Sequence, residues 1–470
     1  MAVRPRIAGR EHARARASPI SRAFLKRVAT LFAGNEISGG PMLLATIIAL
    51  AVSSSSLAPG WEDFWDLPLE ISLGSHSLSH SLAEWIDHAL LPLFFVIIGT
   101  DMKREIVTGE LSLWRSAAFP LLGAIGGMMV PVGLFLAIAG QGPEAAGWGT
   151  VVVTDTAFGL ALLAIFSDRF PIGLRALLLA FAAIDDVGGL LVIAGAYTRQ
   201  IEIVGLVVAA AAFSVMLLLR KLRWFSSFPY VLLSIATWAG IFASGIHATI
   251  AGVVIGFVAP VRPRLDKDAF SRGVQRKVDD FQDAYRRLRR ADSDDDTDRA
   301  VHHEVEAHLG YLDEMTAATE VTGDRLVGLL TPWVSYFVLP LFVLSNVHVA
   351  ITPDALAGAV ASPLAPAIVA ALVLGKPIGF LLASWLGTRT GIARLPSGVT
   401  WRMVLAMSSL AGIGFTISLF IADLAFADGG LVEQASLGTL AASAVAGLAG
   451  YVLLRFAGEG PEGMSLGKGC

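Results

Sequence analysis

Run after run of this chain is apolar for close to 20 residues, and that pattern leaves little choice of solvent. About 20 consecutive apolar residues make a helix long enough to cross the hydrocarbon of a bilayer. Twelve such stretches lie at 39–58, 82–100, 117–140, 148–166, 172–198, 202–220, 229–245, 247–260, 332–351, 362–387, 403–427 and 436–456. Lipid offers the backbone no hydrogen bonds, so stretches of this length must be helices. The expected fold is an all-α membrane protein of about 12 transmembrane helices. The runs 229–245 and 247–260, parted by Ile246 alone, are short and suit either two half-length helices or one broken span. Composition agrees: 16% of residues are charged, where soluble domains carry about 25%.

Charge placement orients these spans. Cytoplasmic connections collect Lys and Arg. If the N-terminus is inside, the even-numbered connections are cytoplasmic. They hold Lys103, Arg104 and Arg115, then Arg169 and Arg175, then Arg220, Lys221 and Arg223, then Arg389, Arg394 and Arg402. The odd-numbered ones hold Arg199 and otherwise acids such as Glu62, Asp63, Glu144, Asp354 and Glu433. A wrong helix count would scramble this alternation.

The chain then divides into a basic cytoplasmic N-terminal segment (1–38), a first membrane portion (39–260), a charged cytoplasmic linker (261–331), a second membrane portion (332–456) and a cytoplasmic tail (457–470). The basic start followed by 39–58 resembles a signal peptide. The apolar part is too long for one, so an uncleaved first span is expected. The linker mixes both signs of charge and includes Asp292-Ser293-Asp294-Asp295-Asp296. It reads as a solvated connector, with short amphipathic helices such as 274–290 as the alternative. Trp61, Trp65 and Trp85 suit the membrane interface. A net charge of −4 argues for no nucleic-acid partner, and a single cysteine, Cys470, excludes an intrachain disulfide.

Four ionisable residues lie where lipid should be: Asp155, Asp185, Asp186 and Lys376. Such residues are costly and mark function by default. Asp185 is 13 residues past Ile172, about 20 Å along a helix and beyond the middle of the bilayer. Neighbours on a helix point about 100° apart, so Asp185 and Asp186 cannot face the same way. One can face a cation while the other pairs with Lys376. A buried ion pair that only fixes packing is the plainer alternative, but three acids against one base leave carboxylates uncompensated. A carboxylate in that position takes up a proton, and hard cations want oxygen ligands. A group that can hold H⁺ or Na⁺, but not both, is the minimum machinery for exchange.

Two spans also carry helix-breaking chemistry at depth. Val153-Thr154-Asp155-Thr156 places competing hydrogen bonders in span four. Ala411-Gly412-Ile413-Gly414-Phe415-Thr416 places Gly412 and Gly414 in span eleven. Interrupted segments in matching positions of two halves point to a transporter's binding site.

Six segments in order now show a resemblance: Gly99-Thr100-Asp101-Met102-Lys103-Arg104-Glu105, Thr154-Asp155-Thr156-Ala157-Phe158, Ala183-Ile184-Asp185-Asp186, Ser244-Gly245-Ile246-His247-Ala248-Thr249, Gly375-Lys376-Pro377-Ile378-Gly379 and Gly412-Ile413-Gly414-Phe415-Thr416-Ile417-Ser418. Over residues 30–456 the chain resembles the NhaA-type sodium/proton antiporters of bacteria. The resemblance implies two inverted repeats, with discontinuous helices four and eleven crossing near the midplane. It implies Na⁺ or Li⁺ exchanged for more than one H⁺, with no cofactor, in the inner membrane of a bacterial cell, both termini cytoplasmic and a homodimer as partner. Asp186 matches the principal Na⁺ ligand, and Asp185 the acid that pairs with the lysine, here Lys376. Thr154 and Asp155 match the broken-helix residues. Asp101, Lys103, Arg104 and Glu105 match a pH-responsive cluster in which the family usually has Glu at the first position. His247 matches a histidine linked to pH response.

One departure stands out. The family's Glu-His…His-Pro-Trp pattern before span nine is replaced by Arg325-Leu326-Val327-Gly328-Leu329-Leu330-Thr331-Pro332-Trp333. The linker is also long. Two rival readings fit less well. An intramembrane aspartyl protease built on Asp155 and Asp185 lacks both halves of its usual motif and gives Lys376 no role. A sodium-coupled symporter should lack the buried lysine.

Overall fold

In the computed structural model, which describes residues 39–73, 76–166, 169–198, 201–222, 224, 227–262, 267–288, 321–347 and 349–457, the apolar runs are helices. The basic segment 1–38, the Asp292–Asp296 run and the tail from 458 lie outside the described residues. In order come α1 (Gly39–Ser53), α2 (Ala58–Trp65), strands β1 (Pro68–Leu73) and β2 (His76–Ser81), α3 (Leu82–Val107), α4 (Trp114–Ala139), α5 (Thr156–Ala164), α6 (Ile172–Ala196), α7 (Ile203–Lys221), α8 (Ser227–Ala243), α9 (Thr249–Val258), α10 (Lys267–Leu288), α11 (Thr322–Asn346), α12 (Pro353–Ala361), α13 (Leu364–Arg389), α14 (Trp401–Leu410), α15 (Phe415–Ala425) and α16 (Gly429–Phe456).

Among the described residues, seven helices are long and apolar enough to cross a membrane: α3, α4, α6, α7, α11, α13 and α16. Two bent pairs bring that to nine. The 3-10 helix Pro143–Val151 meets α5 at 41°, and α14 meets α15 at 47°. The other apolar helices, α1, α8 and α9, fall short of a full span by themselves. Length and composition thus give fewer complete crossings than the twelve apolar runs suggest.

Three wide helical turns, Ile86–Leu90, Val334–Val338 and Ala371–Gly375, share one cause. Each is followed at the second residue by a proline: Pro92, Pro340 or Pro377. Proline has no N–H and crowds the carbonyl four residues back, and a widened turn relieves that clash. The carbonyl released by Pro92 belongs to His88, and Trp238 Nε1 donates to it at 2.6 Å.

Close helix crossings rest on glycine. At the crossing of α4 and α13 a Cβ on Gly126 would lie 2.2 Å from the Gly379 carbonyl oxygen. Where α9 crosses α3, one on Gly252 would lie 2.2 Å from the Pro92 oxygen. In lipid, where apolar contact between helices gains little over contact with acyl chains, such backbone approach supplies much of the attraction.

Three features depart from expectation. The loop after the first span holds a β-hairpin, β1 and β2 pairing antiparallel from Pro68↔Ser81 to Leu73↔His76. Ser81 then caps α3 reciprocally with Glu84: Ser81 Oγ accepts from Glu84 N at 3.2 Å, and Glu84 Oε2 accepts from Ser81 N at 2.9 Å. Trp65 is 5% exposed and packs edge-on against Trp61, while Trp85 Nε1 donates to Leu69 O and ties the hairpin to α3. Part of the connector is the helix α10, with Val274, Val278 and Phe281 at helical spacing and an Arg286–Asp283 pair at 3.3 Å. Residues 322–331 belong to the helix α11 rather than to the connector. There Gly323 N donates to Pro260 O at 2.8 Å, so the connector leaves and returns at one place.

Candidate ion-binding site

The two bent pairs meet end to end and supply each other's missing hydrogen bonds. Helix ends leave backbone donors and acceptors open, which deep in a membrane must be met by protein. After the 3-10 helix, Val152–Asp155 leaves the helical path and α5 begins at Thr156. After α14, Ala411–Gly414 turns into α15. Asp155 N donates to Ile413 O at 2.6 Å, and Thr154 Oγ1 donates to Ala411 O at 2.8 Å. In return Thr416 N and Oγ1 donate to Asp155 Oδ2 at 3.2 and 2.6 Å. Asp155 therefore sits on the N-terminus of α15, where the peptide dipoles favour an anion. Gly412 lets α13 approach the break, since a Cβ there would lie 2.5 Å from the Leu372 carbonyl oxygen.

Lys376 enters from α13, at the end of the wide turn that precedes Pro377. Its Nζ donates to Asp185 Oδ2 at 2.9 Å and to Thr154 Oγ1 at 2.5 Å, with the Phe181 ring 6.0 Å away. Lys376 is 1% exposed and Asp185 0%. Asp186, next in sequence and 8% exposed, points elsewhere along α6. Asp185 Oδ1 and Asp186 Oδ1 are buried without a hydrogen-bond partner among the described residues. Asp185, Thr154 and Lys376 thus form one network, with Asp155, next to Thr154 in the chain, bonded to α15, and with Asp186 beside them in no ion pair among the described residues. Three carboxylates stand against one ammonium. Burial of a charge is tolerated only with a partner, a proton or a bound cation.

The pH-response candidates do not form a single cluster. Arg104 donates to Asp101 Oδ1 at 2.7 Å and to Asp324 Oδ1 at 2.5 Å, tying α3 to the start of α11. Lys103 turns the other way. It is buried, so Lys376 is not the only buried cation, and its Nζ donates to Ala259 O at the C-terminus of α9. Arg220 donates to Val258 O at the same helix end. Cations at a helix C-terminus satisfy open carbonyls and the dipole, which accounts for Lys103 structurally. Glu105 lies over Gly109. His247 is at the far end of α3 from all of these. Its Nδ1 is 3.1 Å from Thr249 Oγ1, and its ring is 4.7 Å from Phe420 and 5.1 Å from His88.

Some polar residues were not singled out from sequence. Asp87, 8% exposed, accepts from Asn346 Nδ2 at 3.0 Å. Its signal was plain, an acid within the apolar run 82–100, but the run as a whole still passes for a span. Thr416 figured only as a helix breaker, whereas its hydroxyl holds Asp155.

Comparison with known proteins settles the family. A family model described as Na+/H+ antiporter 1 matches residues 29–454. The chain belongs to that family. It is 38% identical over 432 residues to a protein named Na(+)/H(+) antiporter NhaA in Oleidesulfovibrio alaskensis, covering 92% of this chain and 94% of the relative. It is 39% identical over 438 residues to a protein of that name in Rhodopirellula baltica, covering 93% and 95%. With Na(+)/H(+) antiporter NhaA 2 of Sorangium cellulosum it shares 36% over 427 residues, covering 90% and 89%. A member of the Na+/H+ antiporter 1 family with this many apolar helices is a multi-pass membrane transporter and not an enzyme.

Lys376→Ala is the sharpest test of the network's structural half. Removing one partner of a buried pair strands the other and costs about 3–5 kcal/mol. Asp185 can recover part of that by binding a proton. The variant should unfold at a clearly lower temperature in detergent than Asp186→Asn does. An unchanged Tm would show that the pair does not hold the helices together.

Proposed function

We propose that this protein exchanges Na⁺ or Li⁺ for H⁺ across a bacterial inner membrane, electrogenically and by alternating access, at Asp185 and Asp186. The observation that carries the reading is the pairing pattern. Asp185 is held by Lys376, while Asp186 beside it is buried with an unpartnered oxygen where two broken helices cross. A carboxylate in that position is neutral with a proton or neutral with a cation, and one occupant excludes the other. As the cation arrives, Asp186 gives up its proton. Asp185 can also turn to the cation, leaving Lys376 without its countercharge and ready to release a proton of its own. A cycle that moves more protons than sodium ions carries net charge.

The same reading takes the architecture as twelve spans in two inverted repeats, with α1, α8 and α9 as shorter members, both termini cytoplasmic and a homodimer as the assembled form. Lys376 favours exchange over sodium symport, because it gives the site a second group that can lose a proton.

Vesicles containing the purified protein, with a pH gradient reported by an entrapped dye, provide the test. Added Na⁺ or Li⁺ should collapse the gradient while K⁺ leaves it standing. A gradient indifferent to all three ions would overturn the proposal.

A further inference from the structure

The first half of the broken span four, Pro143–Val151, winds as a 3-10 helix for nine residues. Runs longer than about four residues are uncommon, because 3-10 hydrogen bonds are poorly aligned and the α-helix competes. Something outside the segment must favour the tighter winding.

Tyr197, the residue that closes the C-terminal end of α6, is placed to do so. Its hydroxyl accepts from Gly149 N at 3.1 Å and donates to Ala146 O at 2.9 Å. Those groups are three residues apart, the donor and acceptor of one 3-10 rung. In an α-helix Gly149 N would turn to Ala145 O instead. A hydroxyl seated on both ends of one rung therefore selects the 3-10 form. The surroundings fit it. The rings of Trp148 and Tyr197 stack, with centroids 6.5 Å and planes 27° apart. Gly149 leaves the hydroxyl room, since a Cβ there would lie 2.5 Å from its oxygen. Two more hydroxyls serve the same stretch: Thr150 Oγ1 donates to Gly147 O at 2.7 Å, and Ser418 Oγ from α15 donates to Thr150 O at 2.6 Å.

Winding sets length. Nine residues span about 18 Å as a 3-10 helix and about 14 Å as an α-helix. Thr154 and Asp155 follow this segment almost at once, so its winding sets how deep they sit. The helix that carries Asp185 and Asp186 also carries Tyr197, 11 residues beyond Asp186. One rigid element thus holds the paired carboxylates and the outer half of the broken span.

We propose that Tyr197 is a positioning residue for cation binding: its hydroxyl fixes the winding of Pro143–Val151 and so the placement of Thr154 and Asp155 relative to Asp185 and Asp186. Groups that orient ligands from outside the site typically change affinity without touching the ion. The inference rests on the exchange reading for which ion is bound, but the brace itself can be tested without transport.

Tyr197→Phe removes the hydroxyl and keeps the ring that stacks on Trp148. In reconstituted full-length protein at fixed pH, KM for Na⁺ should rise about tenfold, the low end for loss of an orienting group. The maximal rate should stay nearly unchanged. The Tm in detergent should also stay close to wild type, because Gly149 N and Ala146 O can still bond to each other and neither is left buried and unpaired. Amide hydrogen exchange should quicken in a peptide covering residues 143–155 and stay as it was in α6. Gly149→Ala, whose Cβ would push the hydroxyl off its rung, should raise KM in the same way and is the second variant should the first fold poorly. A lower Tm and maximal rate with KM unmoved would mean that the tyrosine only supports the fold, and would overturn the proposal. So would unaltered amide exchange over 143–155. If wild-type vesicles do not respond to Na⁺, the exchange reading falls, while amide exchange still decides whether Tyr197 holds the winding.

Discussion

Asp186→Asn is expected to abolish sodium-driven proton movement and leave the fold intact. Asparagine keeps the shape of the side chain but can neither bind a proton in exchange nor offer a charge to a cation. Asp186 is 8% exposed, its Oδ1 has no partner, and no ion pair to it exists among the described residues, so the substitution breaks no described salt bridge. Removing an uncompensated buried carboxylate is neutral or favourable for stability. The variant should leave the membrane in detergent as a monodisperse species with a Tm at or above wild type, yet give no dye response to Na⁺. The separation from Lys376→Ala is the informative part: one variant loses transport and keeps stability, the other loses stability first. Near wild-type exchange by the Asn variant would show that Asp186 is not the carrier.

What the sequence made legible, and what it hid, follows from how each feature is encoded. The crossing of broken helices was readable because Thr154-Asp155 and Gly412/Gly414 are chemically unsuited to a continuous span, and the side chains that break one helix are those that mend the other. The split between Asp185 and Asp186 followed from helical geometry alone. Asp101, Lys103, Arg104 and Glu105, adjacent in sequence, part company for the same geometric reason. Adjacent residues diverge by about 100°, so Lys103 reaches α9 while Arg104 reaches α11. The hairpin is encoded in the alternation Leu69-Glu70-Ile71-Ser72-Leu73, a strand signal that is short beside the long apolar runs on either side. Asp87 was lost because an apolar run is judged on its average. The three prolines behind the wide turns were visible; that each would fall two residues after such a turn was not, since the carbonyl that must be relieved can be satisfied in several ways.

The apparent KM for Na⁺ is expected to rise steeply as pH falls, while the maximal rate stays nearly flat. If Na⁺ and H⁺ compete for the same carboxylates, each proton displaced on binding makes KM rise about tenfold per pH unit below the site's proton affinity, since one unit of pH is one factor of ten in proton activity. Saturating Na⁺ then restores the rate. The alternative is a separate switch that shuts the protein down whatever the Na⁺ concentration. Local structure argues against the usual place for one. In the stretch before span nine, Val327 and Gly328 carry nothing that titrates, and the Thr331 hydroxyl is spent on the Val327 carbonyl at 2.7 Å. The Arg104 bridges to Asp101 and Asp324 are part-exposed, at 37%, 46% and 54% for the three side chains, and pairs in such settings contribute about 0–1 kcal/mol each. That is too little to hold a transporter closed against its substrate. Competition also needs only residues already required for transport. Rates measured across pH at limiting and saturating Na⁺ decide the matter. A maximal rate that collapses in acid even at saturating Na⁺ would sink competition and restore a switch. His247→Ala and Glu105→Gln would then divide the remaining possibilities, because the two residues sit at opposite ends of α3: whichever variant moves the collapse along the pH axis places the switch at that face of the membrane.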